Sequence, residues 1–228
     1  MAGARKQFDP DSVVTLAMSV FQENGYEQSS INELLDVMQI QRSSFYSTFG
    51  SKRSLFLRAL TEYSAKVLRR IRLEVLESSD DYIQNILDWL TFLTSSMTTG
   101  RAVEMGARSF LEVAQSDPVN EIAESFFLEL EKILYTALQR SNKKVVLKGI
   151  NLQQLASLIA SQVEASLLLH KAGVPINIIQ NSILVIRALL DHGLETSSLP
   201  SATLVTISVL TPPGWTELHR IPFFCSLQ

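Results

Sequence analysis

The chain has 228 residues, of which 46% are hydrophobic, so it can bury one large core or two smaller ones. Its single cysteine, Cys225, excludes an intramolecular disulfide and a zinc site built from several cysteines. No stretch approaches the roughly 18 apolar residues of a membrane span, and the N-terminus lacks the apolar run of a signal peptide. We therefore expect a cytoplasmic protein with no membrane partner, metal or cofactor.

The net charge of −3 is divided unevenly along the chain. Residues 1–75 contain ten Lys or Arg and eight Asp or Glu, a net +2, whereas residues 76–228 contain ten and fifteen, a net −5. Between Gln41 and Arg72, eight basic residues accompany one acid, Glu62. A local basic surface suits phosphate contact, although a basic run by itself is equally typical of a solvated helix face.

A first helix is predicted from the turn at Pro10 to the break at Gly25. A helix-turn-helix follows. Ser30 and Glu33 have the spacing of a capping box that starts a helix over residues 31–38. Residues 39–41 form the turn, and a second helix runs over 42–49. Phe45 and Phe49 are four residues apart and face inward, while small hydroxyl side chains occupy the outward face. Such a face is typical of a helix that enters the major groove of DNA.

The rest of the chain to about residue 193 keeps a helical period. Predicted helices cover residues 52–76, 80–98, 101–115, 119–141, 152–172 and 176–193. The fold class is therefore all-α, with a three-helix head, a long connecting helix and a helical body. The predicted domains are a head over 8–55, a body over 56–193 and an atypical tail over 194–228. That tail holds four of the seven prolines and a strand-like run at 204–210.

Two stretches of the head carry a resemblance to a known family. They are NGYEQSSI over residues 24–31 and SSFYSTFGSK over residues 43–52, and the order Tyr46, Phe49, Lys52 is more specific than a generic helix-turn-helix pattern. Residues 8–63 resemble the TetR family of helical repressors. That resemblance implies a regulator of transcription that binds double-stranded DNA.

The resemblance also implies roles for individual residues. Tyr46, Lys52 and Ser30 would contact phosphates, and Arg42 suits a guanine because its fork fits O6 and N7 together. Gln41 stands where the family often has Ser or Thr, and glutamine caps a helix poorly, so we expect it to face DNA instead. The predicted DNA-binding residues are Ser30, Gln41, Arg42, Ser43, Ser44, Tyr46, Ser47, Thr48 and Lys52.

The last two body helices are predicted to form a homodimer interface. Each is apolar on two faces and needs burial on both sides, which two copies would supply as a four-helix bundle. The two heads would then meet an inverted-repeat operator in successive major grooves, about 34–36 Å apart. The predicted interface residues are Leu155, Ile159, Val163, Ile179, Ile183, Ile186 and Leu190. The alternative is that both helices are simply core.

A small-molecule pocket is predicted in the body. Its lining residues are Trp89, Phe92, Leu93, Met97, Met105, Phe110, Phe126, Phe127 and Leu167, with His170 to orient a ligand. The same residue types at helical spacing are also typical of plain core.

The predicted function is a sequence-specific regulator, namely a homodimeric repressor released from its operator by a small molecule. The alternative is a DNA-binding regulator without such a ligand, whose body serves dimerisation or protein contact. An enzyme is disfavoured because the sequence has no metal-ligand cluster, glycine-rich phosphate loop or nucleophile motif.

Overall fold

The computed structural model describes residues 9–98, 117–141 and 150–192. Within these ranges the chain forms α-helices and no strand, which confirms the all-α prediction. The helices are α1 (Pro10–Gln28), α2 (Ile31–Met38), α3 (Arg42–Phe49), α4 (Lys52–Arg72), α5 (Tyr82–Thr98), α6 (Asp117–Arg140), α7 (Leu152–Lys171) and α8 (Ile176–His192). A π-helical turn, Leu73–Glu77, continues α4. The predicted helix over 101–115 and the tail over 194–228 lie outside the described residues.

The start of α1 follows from its sequence, and its end differs slightly from the prediction. The Asp9 carboxylate accepts hydrogen bonds from the backbone N–H groups of Asp11 (3.3 Å) and Ser12 (3.1 Å), which caps the helix. Gly25 has φ 78° and interrupts the helix where the break was predicted, but helical residues resume as far as Gln28. Gly25 therefore acts as a kink inside α1 rather than as its end.

The first of two apolar cores fills the head. It combines one face of α1 with α2, α3 and the first half of α4, and its largest fully buried side chains include Phe21, Leu34, Phe45 and Phe56. The rings of Phe21 and Phe56 meet edge to face, with centroids 5.1 Å apart. This core holds α3 from behind, so the opposite face of α3 is left at the surface.

The second core lies in the body and joins the end of α4 to α5, α6, α7 and α8. Its fully buried members include Ile83, Ile86, Leu90 and Leu130. None of the described helices is both long enough and apolar enough to span a bilayer.

Helices α4 and α6 take part in both cores. Phe56 to Tyr63 of α4 pack in the head, while Ile71 and Val75 lie in the body core. Val119, near the start of α6, is fully buried in the head core, and Leu130 to Leu138 belong to the body core. The predicted domain boundary after residue 55 thus falls inside a continuous helix, α4.

The structure corrects the residue assignment of the predicted dimer interface. The assigned residues Leu155, Ile159, Val163, Ile179, Ile183, Ile186 and Leu190 are all buried in the body core of a single chain, with exposed fractions between 0% and 7%. They pack against α5 and α6 because those helices cover the same faces of α7 and α8. Side chains that lie off these seams are the ones left at the surface.

Candidate nucleic-acid interface

Helix α3 presents the polar face that its sequence predicts. Phe45 and Phe49 are 0% and 7% exposed, whereas Tyr46 is 46% exposed. The other outward residues are Gln41, Arg42, Ser43, Ser47 and Thr48, all exposed, and Ser44, which is half-buried. The ring of Tyr46 packs edge to face on Phe45, with centroids 5.2 Å apart, so its hydroxyl is held at the outer surface.

The turn before α3 is tight and contains a strained residue. Gln39 has φ 55° and ψ 38°, a left-handed conformation that favours glycine, and the Ile40 N–H closes the turn by donating to the Leu35 carbonyl over 3.3 Å. Gln41 occupies the N-cap position of α3 without any hydrogen bond from its side chain to the helix. The side chain of Gln41 is exposed, and its contact with DNA stays a prediction.

Ser30 caps α2 as predicted. Its Oγ accepts a hydrogen bond from the Glu33 N–H over 3.1 Å, and the Glu33 carboxylate accepts from the Ser30 N–H over 3.4 Å. The Asn24 amide donates to the same carboxylate over 2.6 Å, which ties α2 to α1. Ser30 is exposed, so its hydroxyl proton can still be donated to a phosphate.

Arg42 is the first residue of α3, and its side chain reaches back to α2. Its Nη2 atom donates to the Oδ1 atom of Asn32 over 2.5 Å. Sequence reasoning assigned no role to Asn32, because only the turn geometry brings the two residues together.

Lys52 is placed differently from the phosphate contact that the resemblance implies. Its Nζ atom donates to the carbonyl of Ser29 over 2.9 Å and lies 4.4 Å from the centre of the Tyr26 ring. Both partners stand at the end of α1, where backbone carbonyls attract a cation. Lys52 is half-buried in this position, so it ties α4 to α1 inside the head.

Arg53 is a basic residue that sequence reasoning missed. It is the second residue of α4 and is exposed. Within the described part of the chain it has no ion pair and no side-chain hydrogen bond. An exposed arginine in the first turn of a helix, next to the face of α3, is suited to a phosphate.

Other residues of the predicted basic surface are held by contacts within the chain. Arg58 pairs with Asp11 and with Glu62, and Lys66 donates to Thr15. Further along α4, Arg70 pairs with Glu74 and stacks over Phe92 (4.8 Å), while Arg72 pairs with Glu129 of α6. The later part of the basic run therefore packs the connecting helix onto its neighbours.

Comparison with known proteins agrees with this geometry. Residues 13–59 match the family model of bacterial regulatory proteins of the TetR family. This match covers the head of the chain, which is therefore similar to the TetR family. The predicted resemblance of the head to TetR-type helix-turn-helix regulators is confirmed for this segment.

Two relatives are similar to the head of this chain. The chain is 42% identical over 73 residues to the HTH-type transcriptional regulator YezE of Bacillus subtilis, across 30% of the chain and 38% of that protein. It is 36% identical over 61 residues to the HTH-type transcriptional repressor BdcR of Escherichia coli, across 27% of the chain and 31% of that protein. The matched segments span less than two fifths of these relatives.

The structural likeness extends beyond the head, because most of the chain has the fold of TetR-family structures. The TetR-family regulator CifR, solved with a 26-base-pair operator DNA, matches 81% of this chain and 97% of its own with a TM-score of 0.63. Sequence identity across that match is 23%, so the likeness shows the shared fold.

The predicted ligand residues of the body differ in their burial. Trp89, Leu93 and Met97 of α5 are buried in the body core. Phe126, Phe127 and Leu167 are partly buried against that core, and His170 is half-buried. Phe92 is 44% exposed under Arg70, which places it on the surface of α5 rather than beside the buried residues. Met105 and Phe110 lie outside the described residues.

Glu164 of the body has a pKa above the usual range of a glutamate. Burial raises the pKa of Glu164, on α7, from 4.5 to about 7. Sequence reasoning did not single it out, because an isolated glutamate in a helix is usually solvated.

Proposed function

We propose that the chain is a homodimeric repressor of the bacterial cytoplasm that binds an inverted-repeat operator and is released by a small molecule. The observation that carries this proposal is the double role of α4 and α6, which each contribute side chains to the head core and to the body core. A movement within the body would displace the head, and with it the recognition helix α3. The description of BdcR as a repressor supports the sign of regulation.

The DNA-binding part of the proposal rests on α3 and the start of α4. Arg42, Ser43, Ser47 and Thr48 face outward for base edges and nearby phosphates, with Gln41 and Ser44 at the margin of that face. Tyr46 and Ser30 would add phosphate contacts from either end of the helix-turn-helix. Arg53 adds an exposed charge at the start of α4, where Lys52, the predicted phosphate contact, is half-buried.

The homodimer part rests on apolar side chains that one chain leaves uncovered on α7 and α8. These side chains are Leu158, Leu168, Leu169, Ile178, Leu184 and Val185, between 37% and 60% exposed. The two exposed faces are adjacent, because the Gln162 amide on α7 donates to the Ser182 hydroxyl on α8 over 2.8 Å. An apolar face that runs along two packed helices is suited to the same face of a second copy, which gives the four-helix bundle.

The dimer is tested by placing a charge in the exposed face. Val185→Glu is expected to dissociate the dimer, because a carboxylate would be buried without a partner. Leu128→Glu is the matched control, since Leu128 of α6 is similarly exposed (53%) but lies on another helix. Sedimentation and binding to full and half operators would be measured together. A Val185→Glu protein that remains a dimer would contradict this interface.

The ligand-gated part is tested with the operator itself. A duplex selected from a random pool would be labelled and used to screen small molecules for release of the wild-type protein. The proposal expects at least one compound to bind the protein and to weaken operator binding. If every compound that binds leaves operator affinity unchanged, the regulator without a small-molecule ligand is the better description.

A further inference from the structure

Asn32 lies on α2, yet its side chain touches the recognition helix. The Arg42 Nη2 atom donates to the Asn32 Oδ1 atom over 2.5 Å, and both side chains are exposed. This contact joins the second residue of α2 to the first residue of α3.

The backbone beneath Asn32 is held firmly. The capping box between Ser30 and Glu33 closes the first turn of α2, and the Asn24 amide donates to the Glu33 carboxylate over 2.6 Å. Arg42, in contrast, has a long flexible side chain at the beginning of its helix. A hydrogen bond to a fixed acceptor therefore restricts the arginine, and Asn32 acts as the fixed partner.

Arg42 keeps enough N–H donors to hydrogen-bond a guanine while it donates to Asn32. A guanidinium has five N–H donors, and Asn32 accepts from one of the two hydrogens on Nη2. The other Nη2 hydrogen and the Nη1 hydrogens form the end-on fork that matches O6 and N7 of guanine. The fork stays complete when Asn32 accepts the Nη2 hydrogen that points away from Nη1.

We propose that Asn32 is a positioning residue for operator specificity, because it holds the Arg42 guanidinium in the orientation that selects guanine at one base pair of each half-site. This inference rests on the proposed function, since it requires an operator that α3 reads. Without Asn32, the Arg42 side chain would reach neighbouring phosphates as readily as the base. The preference for guanine at one base pair of each half-site would fall, and contact with the DNA backbone would persist.

The test compares base preferences of full-length variants by selection from a random DNA pool, followed by affinity measurements on single-base variants of the operator. Arg42→Ala should abolish the guanine preference at one symmetric pair of positions. Asn32→Ala should lower the preference at those same positions by about tenfold, the effect of freeing one long side chain, and leave other positions unchanged. Because alanine favours the helix, α2 should remain folded.

Two further variants separate positioning from other roles. Asn32→Asp keeps the acceptor, so it should retain the guanine preference although its charge weakens binding to all sequences. Asp36→Ala, an exposed position one turn along α2, should change no base preference. In the Asn32→Ala, Arg42→Ala double variant, loss of Asn32 should have no additional effect on the preference.

Several results would overturn this inference. They are an unchanged preference in Asn32→Ala, an equal loss of affinity for all sequences, or additive effects in the double variant. A wild-type protein that selects no sequence would overturn the proposed function itself, and the inference with it.

Discussion

The internal position of Lys52 leads to a sharp prediction about two neighbouring basic residues. Lys52→Met keeps the apolar stem but removes the ammonium that donates to the Ser29 carbonyl (2.9 Å) and lies over the Tyr26 ring (4.4 Å). A hydrogen bond from a charged donor contributes about 1.5–3 kcal/mol, and an exposed cation–π contact about 0.5–1 kcal/mol. Because Lys52 is only half-buried, we expect the lower part of this range, a loss of about 2 kcal/mol in the free energy of unfolding.

Arg53→Met provides the contrast. Arg53 is exposed, and the described part of the chain gives it no ion pair or side-chain hydrogen bond, so its removal should change stability by less than about 0.5 kcal/mol. If Arg53 contacts a phosphate, the slope of log K against log salt concentration should become shallower by about 0.9 per contact, or about 1.8 for a dimer. Lys52→Met should leave that slope unchanged.

The two assays are urea unfolding of the free protein and operator titration at several salt concentrations. The reasoning would be refuted by the reverse pattern, in which Lys52→Met makes the salt slope shallower and leaves stability intact. Equal slopes for wild type and Arg53→Met would show separately that Arg53 is not a phosphate contact.

Three substitutions test other features of the fold. Val119→Ala removes two fully buried methyl groups where α6 enters the head core, and it should cost about 2–3 kcal/mol in thermal or urea unfolding; a cost below about 0.5 kcal/mol would contradict that packing. Gln39→Gly should raise the unfolding free energy by about 0.5–1 kcal/mol, because glycine adopts φ 55° without strain, and a loss of stability would argue against the left-handed turn. Glu164→Gln should stabilise the protein by about 2 kcal/mol at pH 8 and have little effect at pH 4. The reason is that the carboxyl of Glu164 stays protonated up to about pH 7 in the folded protein, whereas it ionises near pH 4.5 in the unfolded chain, so its destabilising effect grows from about pH 4.5 to 7. A difference in unfolding free energy between wild type and variant that does not change with pH would contradict this prediction.

Helices α4 and α6 each pack in both the head core and the body core. The body can therefore influence DNA binding through these two helices. The Arg72–Glu129 pair joins these helices beside the body core, and Lys132 also approaches Glu129, at 3.4 Å. A ligand in the body can shift the head only by its differential affinity for two arrangements of these helices. Val119 is the most direct link, because it belongs to α6 but is buried with the head.

Local sequence determined most of the helix-turn-helix. The capping box at Ser30, the inward pair Phe45 and Phe49, and the break at Gly25 each depend on neighbours within a few residues. Capping and helical period act over this short range, so a single chain without its structure is sufficient to predict them. The outward face of α3, and with it the candidate DNA-binding residues, followed from the same period.

Tertiary structure decided which of several eligible residues takes each role. Lys52 and Arg53 are adjacent basic residues at the start of α4. Packing at the end of α1 draws Lys52 inward and leaves Arg53 exposed. On α7 and α8 both faces are apolar, and only the positions of α5 and α6 decide that Leu155 is core and Leu158 is surface.

Contacts between segments that are distant in the sequence were also decided by tertiary structure. Asn32 meets Arg42 because a left-handed turn folds α3 across α2, and Val119 joins the head although the predicted domain boundary lies 64 residues earlier, after residue 55. Periodicity states which side of a helix is apolar or polar, but it carries no information about which other helix will cover that side. The sequence by itself therefore determined the helices and the exposed polar face of α3, whereas only the packed structure decided which helices pack against one another.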